Sequence, residues 1–308
     1  MIPAGADARR APLPRRWWIL GGWLCSLVLC AWLYHHLSSF EWQGLLEGVP
    51  WFWWPLATLG WFAGYGVRAW RLQQEWADRA WVPWSRCLSL VLRHNAAVLI
   101  VPLRLGEASY LIGVARQWGV DIQSAAWSLL RLRLQDAVVL GALAVAWLLP
   151  GGAWGVGLSA VALLLCRHHL HRACLRPASR GGRIWNELMR LFLSPGWVHS
   201  VVNWSLRLAV IGGWLFLLAP LTPAAAIGTA AGAELGALWP LQGPAGLGPF
   251  ELGVWSAAQW LGQSPPGLLA AALTAHLFCI TVALAGALVA LWTCGPPPAA
   301  SLFGKSQR

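Results

Sequence analysis

Long apolar runs decide what this chain can become. Stretches at about residues 17–37, 50–67, 127–149, 152–167, 198–219 and 267–292 are dominantly apolar, and most match the roughly 20 residues that a helix needs to cross a hydrocarbon core about 30 Å thick. In lipid every backbone N–H and C=O has to be bonded within the protein, so such runs cross as helices. The expected fold is therefore all-α: a polytopic membrane helix bundle. Charge content agrees, since 11% of residues are charged against about 25% in soluble domains. No polar stretch is long enough for a separate catalytic domain of ordinary size, so 1–308 reads as one integral membrane domain. The basic excess, 22 Lys+Arg over 11 Asp+Glu, gathers at the ends of apolar segments. That placement points to membrane orientation and anionic headgroups rather than to nucleic acid.

Two further apolar stretches are interrupted. Residues 87–114 are broken by VPLRLGE at Val101–Glu107, and residues 224–262 by WPLQGPAGLGPFE at Trp239–Glu251. Pro, Gly and charge at bilayer depth are tolerated only where protein or water satisfies the freed backbone groups. The positive-inside rule decides whether these stretches cross. If 87–101 were a simple span, Arg167–Arg190, with six Arg and one Glu, would face outside. If 87–114 enters and returns, the N-terminal tail 1–16, the Arg68–Arg86 loop, the Arg116–Arg133 region, the basic loop 168–197 and the tail 293–308 all lie inside. The same count makes 224–262 a hairpin from the outer face. We thus expect six spans and two opposed re-entrant hairpins, in a bacterial inner membrane with the N-terminus cytoplasmic. Paired interruptions of this kind are the sequence pointer to inverted-repeat transporters with a site near the midplane.

Charged residues inside a bilayer are costly and usually functional, and here they cluster. The first break offers Arg93, His94, Asn95, Arg104 and Glu107; the span after it offers Arg131, Arg133 and Asp136; residues 198–219 offer Arg207; the second hairpin offers Glu234, Gln242 and Glu251. Arg133 and Asp136 are three apart and can pair on one helix face, while Arg131 lies on another face, near enough to the helix start to snorkel to the surface. Pro102, Gly106, Pro240, Gly243, Gly246 and Gly248 are candidates for tight turns. The seven cysteines form no CxxC pair and read as small apolar fillers rather than disulfides or a zinc site. His168 and His171 have metal-like spacing but stand in a basic loop, where attraction to anionic lipid is the simpler reading; His276 reads as a hydrogen-bonded bundle residue. Neither a metal nor a cofactor is expected, and no hydrolase or P-loop motif occurs. The 25 tryptophans, including Trp17, Trp18, Trp51, Trp53 and Trp54, fit interfacial aromatic belts.

Three motifs in order carry a resemblance. AAVLIVPLRLGEASYLIGVARQWG, then LLRLRLQDAVVL, then WPLQGPAGLGPFELGVWSAAQWLG resemble the flippase-like transmembrane family that includes the membrane half of bacterial lysylphosphatidylglycerol synthases. Pro102, Arg104, Gly106 and Glu107 match the first family motif, Arg133 and Asp136 the second, and Pro240, Gly246, Gly248 and Glu251 the third. The chain departs from the pattern at Leu103, Tyr110, Leu132 and Ala245. The resemblance implies an inner-membrane lipid translocator moving a phospholipid or lipid-linked phosphate, with Arg104, Glu107, Arg133, Asp136 and Glu251 at the substrate. It implies membrane lipids with anionic or phosphate-bearing headgroups as partners, alongside a separate lipid-modifying enzyme. It does not extend to aminoacyl-lipid synthesis. Arg104, whose planar fork suits phosphate, is the expected phosphate contact. Glu107 and Glu251 hold that arginine, bind a cationic headgroup or carry a coupling proton. Asp136 orients Arg133 or Arg104. A membrane-embedded transferase acting on a lipid phosphate, an accessory scaffold subunit, and a purely structural ion-pair network remain as alternatives.

The re-entrant topology makes an exposed prediction. Single cysteines introduced at Trp118 and Arg180 should both react with an impermeant maleimide from the cytoplasmic side only; labelling of either from outside would break the scheme.

Overall fold

The computed structural model describes residues 15–38, 40–77, 82–149, 191, 194, 196–239 and 244–294. Among these the chain is all-helical, with no strand. In chain order the helices are α1 (Arg15–Leu37), α2 (Trp53–Trp76), α3 (Trp84–Ile100), α4 (Ala108–Trp118), α5 (Ile122–Leu148), α6 (Gly196–Leu218), α7 (Pro223–Gly236), α8 (Pro249–Trp260) and α9 (Leu268–Cys294), with short 3-10 turns at Pro102–Glu107 and Pro244–Gly246. Two helices, Gly196–Leu218 and Leu268–Thr293, are long and apolar enough to cross a membrane. Outward-facing side chains on α1, α2 and α9, such as Leu27, Leu59, Leu288 and Val289, are exposed and aliphatic. The 152–167 span, His168 and His171 lie outside the described residues.

Local chemistry explains the boundaries. Pro83 precedes α3 and cannot sit deeper in a helix without losing a hydrogen bond. Gly119, with φ +67°, ends α4 in the left-handed conformation, the usual helix stop. Asp121 then accepts from Ser124 N–H at 2.8 Å and caps α5, and Thr222 does the same for α7 ahead of Pro223. Each cap satisfies an N–H that the first helical turn would leave orphaned.

Both interrupted stretches fold back as antiparallel hairpins. In the first, α4 returns along α3: His94 Nδ1 lies 2.9 Å from Ser109 Oγ, and Gly106 sits so close to α3 that a Cβ would come within 2.3 Å of the Ala97 carbonyl oxygen. In the second, α7 and α8 run face to face across Gly232 and Gly253, where a Cβ on Gly253 would meet the Gly232 carbonyl at 2.2 Å. The 3-10 turns of the two breaks lie side by side. Around them α6 packs on α2, α5, α7 and α9, and α3 is held between α2 and α9. Trp76 and Trp214 are fully buried in this core, with Trp61 and Trp204 nearly so, so several tryptophans fill the interior instead of joining a belt.

One expectation is corrected. Helix α2 does not end near residue 67 but runs on to Trp76, so Arg68, Arg71 and Glu75 belong to a helix and not to a loop. Inside the bundle Arg71 is paired with Asp136 and Glu75 with Arg131, and Arg68 donates to the Asn95 amide, which lowers the penalty that made a loop the natural reading. In the second break, Pro240, Gln242 and Gly243 lie outside the described residues, whereas Gly246 (φ +70°) and Gly248 (φ +92°) adopt the left-handed turns expected of them. Ala245 shares that region with φ +60°, at a cost of about 1–2 kcal/mol for a residue with a Cβ. Ala245→Gly should therefore stabilise the protein by up to about 1 kcal/mol after the extra unfolded-chain entropy of glycine, read as a higher midpoint in detergent thermal unfolding.

Candidate functional site

The two breaks and helices α2, α5, α6, α7 and α9 enclose a cavity of about 640 Å3, within the range of small-molecule and cofactor sites. One part of its wall is charged: Arg68, Glu107, Arg133, Asp136, Arg207 and Glu234 all line it, with Asn95 and His276. Another part is aliphatic, and of these side chains Leu130 and Leu134 are also 46% and 42% exposed on the outer surface of α5. The cavity thus joins a polar interior to the apolar flank of the bundle.

Arg133, on α5, reaches across to the first break. Its Nη2 donates to both oxygens of Glu107, at 2.6 and 2.7 Å, and lies 3.2 Å from His94 Nε2. The expected pairing of Arg133 with Asp136 is not formed. Asp136 turns instead toward Arg71 of α2, at 2.6 Å, and accepts from the Ser200 hydroxyl of α6. The physical reason is tertiary. A third helix brings a guanidinium into the bundle that can also donate to the Gln135 side chain at 2.7 Å and the Leu132 carbonyl at 2.9 Å. A partner three residues away on one exposed face offers no such set. Arg131 does not snorkel either; it is buried and paired with Glu75 of α2, its Nε lying 3.0 Å from the carboxylate.

On the opposite wall, Arg207 donates to Glu234 at 2.6 and 2.9 Å, joining α6 to α7. Its guanidinium carbon lies 4.3 Å from the Trp61 ring centroid and 5.5 Å from that of Trp204, a cation–π setting that strengthens when water is excluded. Glu251 is fully buried. It closes the start of α8 by accepting from Gly248 N–H at 2.8 Å, and its other oxygen is 2.8 Å from His276 Nδ1. His276 in turn stacks on Phe250, ring centroids 4.1 Å apart.

The sequence-derived candidates therefore divide. Glu107, Arg133 and Asp136 converge on the cavity, while Glu251 stands behind its wall and reaches it through His276. Pro102 and Arg104 fall in the first 3-10 turn, beside the cavity, but their side chains lie outside the described ones. Tyr110 is tied into the core, its hydroxyl 2.8 Å from Ser128 Oγ and 3.3 Å from Trp76 Nε1. The residues that sequence reasoning missed are Arg68, Arg71, Glu75, Trp61 and Tyr65, all on α2. A signal existed: no proline stands between Pro55 and Pro83, and Arg68, Arg71 and Glu75 follow at helical spacing.

No protein-family model matches the chain, and no curated protein matches it in sequence.

The Arg71–Asp136 pair allows a direct test of what holds the site. Removing one partner leaves an uncompensated buried charge, a loss of about 3–5 kcal/mol, whereas replacing both by apolar residues of similar volume is often near neutral. Asp136→Ala should lower the unfolding midpoint sharply, and Arg71→Met combined with Asp136→Leu should recover most of the loss.

Proposed function

We propose that the protein is a lipid translocator of the bacterial inner membrane, moving a phospholipid or lipid-linked phosphate between leaflets through the cavity at the two breaks. The observation that carries this reading is the cavity's two-sided wall. A charged lining of three arginines and three carboxylates gives a headgroup polar partners at bilayer depth, and the aliphatic side, continuous with the exposed flank of α5, lets acyl chains stay in lipid. An aqueous solute would need no such lateral apolar wall. The topology that serves this function is six spans with two opposed re-entrant hairpins, entering from opposite faces and meeting at the cavity. Substrate binding belongs to Arg104, Glu107, Arg133 and Asp136, with Glu251 fixing the second break from behind.

Within this reading the ion pairs have a second use. A headgroup that enters can exchange partners with a paired arginine one bond at a time, so no step exposes a bare charge to hydrocarbon. That matters because an isolated charge at the membrane centre costs about 2.5–3.5 kcal/mol on insertion scales.

The reading is tested in proteoliposomes by following fluorescent phospholipids and a fluorescent polyprenyl phosphate by outer-leaflet quenching. Wild-type protein should accelerate movement of at least one of these probes over protein-free vesicles, and Arg104→Ala should abolish the gain while Arg104→Lys restores little of it. Equal rates in protein-free, mutant and wild-type vesicles would reject translocation.

A further inference from the structure

One guanidinium on the cavity wall is not directly neutralised, because the wall's Asp136 is taken by Arg71 from behind it. Arg71, Arg133 and Arg207 each lie within 2.6 Å of an acidic oxygen, on Asp136, Glu107 and Glu234. Arg68 does not. It lines the same cavity, one helical turn before Arg71 on α2, and its Nη1 donates to the neutral amide oxygen of Asn95 at 2.8 Å. Among the described residues no carboxylate stands within ion-pair distance of it, and its other N–H groups have no protein acceptor. Asp136, on the same wall, already has Arg71 and Ser200 as partners.

A guanidinium carries five N–H donors in a rigid planar fork. Asn95 takes one edge, and Asn95 is itself fixed, because its Nδ2 donates to the Val91 carbonyl at 2.7 Å. The ring of restraints holds the Arg68 plane in place while leaving donors free at the cavity. This is the geometry of a prepared oxyanion site: a half-buried, permanently charged fork with one edge anchored and one edge open. The acyl-side wall of Leu99, Leu111, Leu130, Leu134 and Ile280 adds an apolar surface beside it.

We propose that Arg68 is the anion-binding residue of the cavity and seats a phosphate-type oxyanion borne on an amphiphile, with Asn95 as the residue that positions it. The proposal rests on the translocator reading for its biological setting and assigns the phosphate contact to a residue of α2, additional to Arg104 in the first break. Arg133 and Arg207, already bound to carboxylates, flank the site and favour an anion there without being its direct ligands.

The test is ligand-induced thermal stabilisation of the full-length chain in uncharged detergent, titrated with three probes. These are a short-chain phosphatidylglycerol, inorganic phosphate, and the matching diacylglycerol, which has the tails and no phosphate. Wild-type protein should bind the phospholipid, bind inorganic phosphate at least tenfold more weakly, and respond least to the diacylglycerol. Arg68→Gln should weaken phospholipid binding by about 10- to 100-fold, as expected for loss of a charged hydrogen-bonding partner. It orphans no carboxylate, so its midpoint without ligand should stay close to wild type. Asn95→Ala keeps the charge and frees the fork, and should weaken binding several-fold. If Arg68→Gln destabilises the apo protein, Arg68→Lys keeps the charge without the fork, and its binding should still fall below wild type. Equal affinity for phosphatidylglycerol and diacylglycerol, or unchanged binding in both Arg68→Gln and Arg68→Lys, would overturn the proposal. Equal affinity for inorganic phosphate and the phospholipid would overturn the amphiphile part of it. The same variants in the quenching assay separate the two readings. Arg68-dependent binding with no lipid movement by wild type would remove translocation and leave the site, whereas wild-type movement undiminished in Arg68→Gln would remove the site and leave translocation.

Discussion

Neutralising buried guanidinium is the constraint around which this bundle is arranged. Arg71 bonds to Asp136 and Gln135 of α5 and to Ser200 of α6, so one side chain of α2 ties three helices together at their polar centre. Arg131 with Glu75 repeats the α2–α5 link, Arg133 with Glu107 ties α5 to the first break, and Arg207 with Glu234 ties α6 to α7. Van der Waals packing alone would let such helices rotate or slide, because apolar contact is non-directional. Bonds that leave an unmatched charge when broken admit far fewer arrangements. They fix which faces meet, and the cavity follows as the space that those faces leave.

The interrupted stretches were legible from the chain because the physics that breaks a helix is local. Proline removes a donor and glycine reaches left-handed angles, wherever the rest of the fold goes. Hence the turn at Val101–Glu107 and the turns at Gly246 and Gly248 could be anticipated from the chain, whereas Glu107, Arg133 and Asp136 are singled out together only through the motif resemblance. The pairing pattern could not be anticipated. Arg133 and Asp136 are well spaced for each other on one helix, yet each finds its partner on another element, since only tertiary contact supplies several acceptors at once. Helix α2 was hidden for a related reason. Its basic residues carry the mark of a cytoplasmic loop until Asp136 and Asn95, distant in sequence, are seen to face them.

Glu251 illustrates how one side chain can serve backbone and cavity together. Its position three residues after Gly248 is a helix-start signature, and one oxygen does close the first turn of α8. The other oxygen holds His276 against the cavity wall. A residue whose spacing is explained by capping is thereby also coupled to the chemistry of the site, so a substitution there disturbs the loop and the wall in a single event.

The contact between the two breaks has a mechanical meaning. Each hairpin is closely packed along its own length, the first turn lying against α3 at Gly106 and α7 against α8 at Gly232–Gly253, so the arms cannot part without opening a void. Their tips lie side by side. Because the tips touch, a displacement of either one has to be accommodated by the other, and the two breaks meet the cavity as a single surface.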